Sequence, residues 1–363
     1  MAMELLRDWF RRYFSDPQVV VLGLFLIIGF AIIIGMGQWL APMFASIVIA
    51  YLLEAFVARL QKTGMPRLAA VLIVFIFFIA VFLFLTFGLI PIVIRQLTAL
   101  VQQFPNYITQ GQDLLKQLPQ AYPQLISEEQ IQLIISRIGQ EMASLGQQAL
   151  TWSLASVASV IGLVVYLVLV PVLVFFLLKD KEQMVGWFTG YLPTERTLVN
   201  RVWTESEAQI ANYVRGKVTE IIIVGSVTYV TFMILGLQYS ALLATVVGFS
   251  VLVPYIGAAV ATIPIALIAF FQFGWGWDFG QIIIAYAIIQ ALDGNLLVPL
   301  MFSEVVNLHP VAIILAILVF GGLGGFWGIF FAIPLATFVK AVLNAWPRQA
   351  EQTDAPAGPP TET

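Results

Sequence analysis

The chain reads as long apolar runs separated by short polar or turn-rich stretches. These stretches delimit eight runs, at 19–36, 39–58, 68–94, 150–178, 218–237, 241–272, 280–302 and 310–346. A helix crossing a hydrocarbon core of about 30 Å needs roughly 20 apolar residues, so each run predicts a membrane helix. Gly35-Met36-Gly37-Gln38 and Pro42 predict a tight turn between the first two. Between Arg95 and Leu150, Pro105, Pro119 and Pro123 predict a chain broken into short helices. Ser127 with Gln130 predicts a capping box; Ile131, Ile134, Ile135, Ile138, Met142 and Leu145 then follow helical spacing on one face. The stretch 179–217 is rich in charge, with Trp187, Phe188 and Tyr191 interleaved and a helix start at Pro193-Thr194. Both extramembrane stretches predict helices lying on the membrane surface, and Gln349–Thr363 has the composition of a disordered tail.

The expected fold is all-α: a polytopic membrane protein of about eight transmembrane helices, two of them broken or re-entrant, plus amphipathic surface helices. A cytoplasmic segment (1–18) precedes three spans (19–94). An extracytoplasmic helical segment (95–149), a fourth span (150–178) and a cytoplasmic helical segment (179–217) follow. A four-helix transport unit (218–346) and a cytoplasmic tail (347–363) complete the chain.

Composition removes the soluble classes. Of 363 residues, 60% are hydrophobic and only 10% charged, with a mean hydropathy of +0.95, against about 25% charged in an average soluble domain. Val19 to Leu53 carries no charge, which is too long for a cleaved signal segment. A net charge of −3 gives no basic field for nucleic acid. There is no Cys and a single His, His309, so no cofactor or metal is expected. With the N-terminus inside, 14 of the 17 basic residues fall on the cytoplasmic side, which predicts that both termini are cytoplasmic.

The C-terminal half carries the chemistry. From Ile221 to Trp277 there is no charge, yet the stretch holds Pro254, Pro264 and many glycines. The runs 241–272 and 310–346 are overlong for one crossing, and they are also the interrupted ones. The first is broken at Pro254-Tyr255-Ile256-Gly257. The second is broken at Gly321-Gly322-Leu323-Gly324-Gly325, with Gly328 and Pro334 following. Unwound backbone at membrane depth is tolerated only against protein or a watery cavity, and discontinuous helices commonly build a transporter's midplane site. The two segments also resemble one another: Leu237 precedes Gly257 by 20 residues and Leu308 precedes Gly328 by 20, with Pro264 and Pro334 beyond. Either a degenerate repeat of a two-span unit, parallel on a simple count of crossings, or chance likeness of Gly/Pro-rich helices accounts for this.

Ionisable groups within a span cost about 2.5–3.5 kcal/mol on insertion scales. Asp293 is the deepest, one turn from Gln290, beside Gly294 and Asn295, with Pro299 following. That cluster suits a cation, a polar solute or a proton; the other reading is a neutral Asp that ties two helices together. Glu54 is expected to snorkel or pair with Arg59, Glu220 to sit near the inner interface, and His309 to lie in an outer turn. Motifs of intramembrane proteases, His-Glu-x-x-His and phosphate loops are missing, so no enzyme is expected.

Four stretches carry a family resemblance. They are Tyr213-Val214-Arg215-Gly216-Lys217; Val253-Pro254-Tyr255-Ile256-Gly257 with Ile263-Pro264; Asp293-Gly294-Asn295-Leu296-Leu297-Val298-Pro299; and Leu308-His309-Pro310 leading to Gly324–Gly328 and Ala332-Ile333-Pro334. In order and spacing they resemble the autoinducer-2 exporter family of bacterial membrane proteins, over roughly 20–346. One departure is Arg215-Gly216-Lys217, where a Gly-Gln pair is common in that family. The resemblance implies a homo-oligomer in the bacterial inner membrane that works by secondary transport. Its cargo would be a small polar solute such as a signalling molecule, or Na+ or Li+ exchanged for H+; a non-transporting scaffold is the alternative. Candidate contacts for solute or ion are Gln290, Asp293, Asn295, Pro254, Tyr255 and Gly257. Candidate hinges are Gly321, Gly322, Gly324, Gly325, Gly328, Pro264, Pro299 and Pro334. The substrate itself is not legible.

Overall fold

A computed structural model describes residues 17–121, 127, 129, 131–133, 135–137, 156–190, 197–254, 256–302 and 308–345. Among the described residues twelve α-helices follow in chain order: α1 (Pro17–Lys62), α2 (Arg67–Phe84), α3 (Ile90–Ala121), α4 (Ser156–Lys179), α5 (Lys181–Gly190), α6 (Thr197–Ile234), α7 (Ser240–Ser250), α8 (Ile256–Phe273), α9 (Trp277–Leu292), α10 (Val298–Phe302), α11 (Pro310–Phe330) and α12 (Ala332–Ala345). π-helical turns join α2 to α3 (Leu85–Leu89) and α9 to α10 (Asp293–Leu297). No strand occurs among the described residues. Six helices there are long and apolar enough to cross a membrane, with shorter apolar helices beside them, so the molecule is an all-α polytopic membrane protein.

Several expected breaks are helix. Residues 35–38 lie inside α1, which runs unbroken through Pro42, and α3 continues through Pro105 and Pro119 to Ala121. A proline removes one N–H and frees the carbonyl four residues back, here those of Gln38 and Val101, a loss that membrane helices tolerate. Ser46 donates to the Pro42 carbonyl at 2.6 Å and Thr109 to that of Pro105 at 3.0 Å. Gln130, most of the apolar face after Ile131, Pro193-Thr194 and both ends of the chain lie outside the described residues. Ile131 itself is buried.

The chain divides into two compact units. One comprises Ala41–Met184 with Val214–Ser303; the other comprises Met1–Leu40, Val185–Tyr213 and Glu304–Thr363. The first unit holds two apolar clusters. One packs Leu53, Val57, Val71, Val74, Val174 and Leu178 of α1, α2 and α4. At its polar edge Glu54 accepts from Arg67 at 3.4 Å and from Lys181 at 3.2 Å, while Arg67 also donates to the Leu178 carbonyl at 2.8 Å. Arg59 instead lies over the Phe56 ring. The other cluster joins Val224 and Phe232 of α6 to Val247, Ile265, Ile282 and Tyr286. With no aqueous solvent to drive association in lipid, close approach of small residues does the packing. A side chain on Gly248 would come within 3.1 Å of the Ile221 carbonyl and 3.3 Å of Gly225.

The interrupted run 241–272 is a hairpin. Its arms are α7 and α8, its tip is 251–254, and its open ends meet where the Gln272 side chain accepts from Gln238 N and donates to Gly236 O, both at 2.8 Å. Gly257 is pressed so closely on the Ser250 carbonyl that any Cβ there would overlap it. In the second unit, α11 reverses at Gly325 (φ 55°, ψ −134°), a conformation suited to glycine. There Gly328 sits on the Phe320 carbonyl and Gly321 against Ile329. His309 caps α11, its Nδ1 accepting from Val311 N at 3.3 Å.

Candidate functional site

The site begins with a proline. Pro299 lacks an N–H and its ring crowds the carbonyl four residues back, which disfavours a regular turn there. The helix answers with a π-turn over Asp293–Leu297, in which Val298 N donates to the Asp293 carbonyl. Such single-turn bulges often mark functional positions. Here the bulge follows the last turn of α9 and places the Asp293 side chain in the interior, at 8% exposure.

Facing electrostatically onto Asp293 is α6. Lys217 and Glu220 are three residues apart on one helix face and form an ion pair at 2.8 Å, with side chains only 5% and 2% exposed. The Lys217 ammonium also lies 5.3 Å from the centre of the Phe302 ring, a cation–π placement. Gly216 makes room for that ring, since a Cβ there would come within 2.7 Å of it. Lys217 attracts both carboxylates, and the two carboxylates repel each other. With all three groups ionised the cluster carries a net charge of −1.

Hydrogen bonding is incomplete. Among the described residues, Gln290 Nε2, Asp293 Oδ1 and, on α6, Thr228 Oγ1 are buried side-chain atoms without a hydrogen-bond partner. Leaving a buried polar group unpaired costs about 1–3 kcal/mol. Gln290 and Asp293 are one turn apart, so an amide donor and a carboxylate acceptor lie open on one stretch of helix.

The other expected contacts lie elsewhere. Asn295 is exposed and its amide donates to the Ala291 carbonyl one turn back. Pro254 is in the hairpin tip, where its carbonyl accepts from Ile256 N, Gly257 seals the crossing of the arms, and Tyr255 lies outside the described residues. Pro264 is inside α8, and the Tyr286 hydroxyl of α9 donates to the Ala258 carbonyl at 3.0 Å. A groove of about 550 Å³ flanks this hairpin, lined by Val93, Leu242, Val246, Phe249, Ile256 and Val260; it suits acyl chains rather than a polar solute. Gly321, Gly322, Gly324, Gly325, Gly328 and Pro334 belong to the other compact unit.

A family model described as AI-2E family transporter matches residues 21–348. The chain belongs to the AI-2E transporter family. It is 49% identical over 345 residues to the Escherichia coli K12 protein named "Putative permease PerM", covering 95% of this chain and 98% of that one. It is 30% identical over 300 residues to "Putative transport protein YueF" of Bacillus subtilis (81% and 80%), and 24% identical over 306 residues to "Putative transport protein YrrI" of the same organism (83% and 85%). This AI-2E family member is thus a multi-pass membrane protein of a transporter family.

Lys217 is a buried charge that the sequence expectations do not place at a site. They include it only in the cytoplasmic stretch 179–217 and in the family stretch Tyr213–Lys217, as a departure from the family's pattern. The signal was present in the i, i+3 spacing of Lys217 and Glu220 at the start of an uncharged run, which puts both on one helix face.

Proposed function

We propose that this chain is a secondary transporter of the autoinducer-2 exporter type, moving a small polar solute by alternating access with ion coupling. The observation that carries the reading is the buried pair Gln290 Nε2 and Asp293 Oδ1, a donor and an acceptor left open beside the Lys217–Glu220 ion pair. A solute hydroxyl, which both accepts and donates, completes both groups, and lipid tails complete neither. Buried ionisable groups in membrane helices customarily mark such pathways.

In this reading the protein lies in the bacterial inner membrane, with the basic ends of α1, α2, α4 and α6 and the C-terminus cytoplasmic. A cytoplasmic N-terminus depended on a turn at 35–38 and is not proposed again. Each hairpin returns to the side from which it starts, so a repeat unit contains one crossing rather than two. Its second copy then begins on the opposite side, and the parallel count gives way to an inverted one, the arrangement common in secondary transporters. Copies of the chain associate in the membrane, which native mass spectrometry of the detergent-extracted protein checks: a monomer alone refutes it.

The deciding experiment is a solute and pH-gradient screen on the purified protein in liposomes. Asp293→Asn is expected to abolish the flux that the native chain supports while leaving the protein monodisperse. Native flux in the variant removes Asp293 from the mechanism, and no flux of any solute by the native chain favours a scaffold.

A further inference from the structure

We propose that the exchangeable cation of this site is a proton, and that Lys217 is a fixed, tethered cation occupying the place an alkali ion would take. The inference rests on the transporter reading for its role in a cycle, and on the buried ion pair and the unpartnered Asp293 oxygen for the site itself.

Three charges are gathered in the interior: Lys217 and Glu220 on α6 and Asp293 at the end of α9. The ammonium is committed to Glu220 at 2.8 Å and acts on Asp293 only through its field. Asp293 therefore remains the carboxylate whose buried oxygen has no partner. One further positive charge makes the cluster neutral, and a low-dielectric interior favours neutrality.

Proton and alkali ion differ in what they need. A proton needs one oxygen: the Asp293 carboxylate takes it up, becomes a neutral carboxylic acid able to donate a hydrogen bond, and returns it to water on the other side. A hard metal cation needs several oxygens at once. Among the described residues no three acids or histidines converge to hold one, and the Asn295 amide is spent on its own helix. The open atom of Gln290 is an N–H donor, which serves a solute oxygen and repels a cation. The ammonium of Lys217 repels one as well. Two other ionisable side chains on these helices are turned elsewhere: the Tyr286 hydroxyl to Ala258, and Arg215 to the Tyr51 hydroxyl at 3.0 Å. Lys217 attracts both carboxylates, and Glu220 and Asp293 act on each other.

The test is an infrared titration of the full-length protein in lipid, following the carboxylic-acid C=O band that Asp293→Asn removes. In the native chain this band is expected to be the same in sodium, lithium or N-methylglucamine chloride at every pH. In Lys217→Gln, sodium or lithium is expected to compete with the proton and diminish the band by about tenfold in apparent proton affinity, the change that one pH unit expresses. Lys217→Arg, which keeps the charge, should restore indifference to the salt. A native band that sodium or lithium weakens, or the lack of any band assignable to Asp293, overturns the proposal even where Lys217→Gln does not fold. The titration needs no flux, so the two readings fail separately. A sodium-indifferent Asp293 proton in a protein that moves no solute refutes the transporter and leaves the site. Flux driven by a sodium gradient refutes the proton site and leaves the transporter.

Discussion

The two helical hairpins solve one problem with different means. In each, a glycine lies so close to a backbone carbonyl of the opposite arm that no side chain fits: Gly257 on Ser250, and Gly328 on Phe320. These are the two glycines that stand 20 residues after Leu237 and Leu308, as a duplicated hairpin would have them. Around that shared contact the constructions diverge. The α7–α8 hairpin turns over several residues, is clasped at its open end by Gln272, and buries Leu243, Val247, Val251, Ala261, Ile265, Ile268 and Ala269 in one cluster. The α11–α12 hairpin turns at Gly325 within a helix and has open space beside Gly322 and Gly324; both hairpins carry exposed apolar side chains, such as Val260 and Ile263 on the first and Leu315 and Leu318 on the second. Tight packing resists small displacements, whereas backbone held open by glycine yields to them. From the clasp and the turn, the first hairpin is expected to be the stiffer of the two.

The strongest way to break that contrast is to add one methyl group at each crossing. Gly257→Ala forces apart arms that are fixed at both the tip and the base, so the strain has no outlet. A loss of about 3 kcal/mol or more is expected, at the upper end for overpacking, seen as a large fall in melting temperature in detergent or failure to purify. Gly328→Ala meets the same kind of clash in a looser hairpin, and a loss of about 1–2 kcal/mol is expected. Equal losses, or the reverse order, would remove the difference in rigidity. A milder version opens the clasp. Gln272→Leu deletes two hydrogen bonds at the base of the first hairpin and should cost about 1–2 kcal/mol, roughly 1 kcal/mol per bond, read as a lower melting temperature with the arms still packed.

How far these features were legible depends on which interactions fix them. Fold class and most helix limits follow from apolar runs, because lipid enforces helix on any long apolar stretch. The same rule explains the misread turns at 35–38, Pro105 and Pro119: glycine and proline punctuate helices in water more strictly than in lipid, where leaving the helix opens many backbone hydrogen bonds rather than one. Overlength pointed to the two interruptions, but residue counts carry no direction, so a hairpin and a bent crossing looked alike. Asp293 and Gln290 were found because each is costly where it lies. Lys217 and Glu220 were readable as a local pair, while the field of Lys217 at Asp293 arises between helices 76 residues apart in sequence and left no local mark. The pairing of Glu54 with Arg67 and Lys181, rather than Arg59, is long-range in the same sense.

The smallest expected effect is also the one that separates a flexible hairpin from a merely loose one. Gly322 and Gly324 are helical residues with nothing within 4 Å of an added Cβ. Alanine there meets no clash and narrows the unfolded ensemble, so Gly322→Ala with Gly324→Ala should raise stability by about 0.4–1 kcal/mol per site. The melting temperature then rises by a few degrees. If bending near Gly325 is part of the cycle, that gain is stored in the ground state and must be overcome at each turnover, so flux in liposomes falls as stability rises. A more stable double variant that transports at the native rate would mean that the second hairpin is open by construction without moving in function.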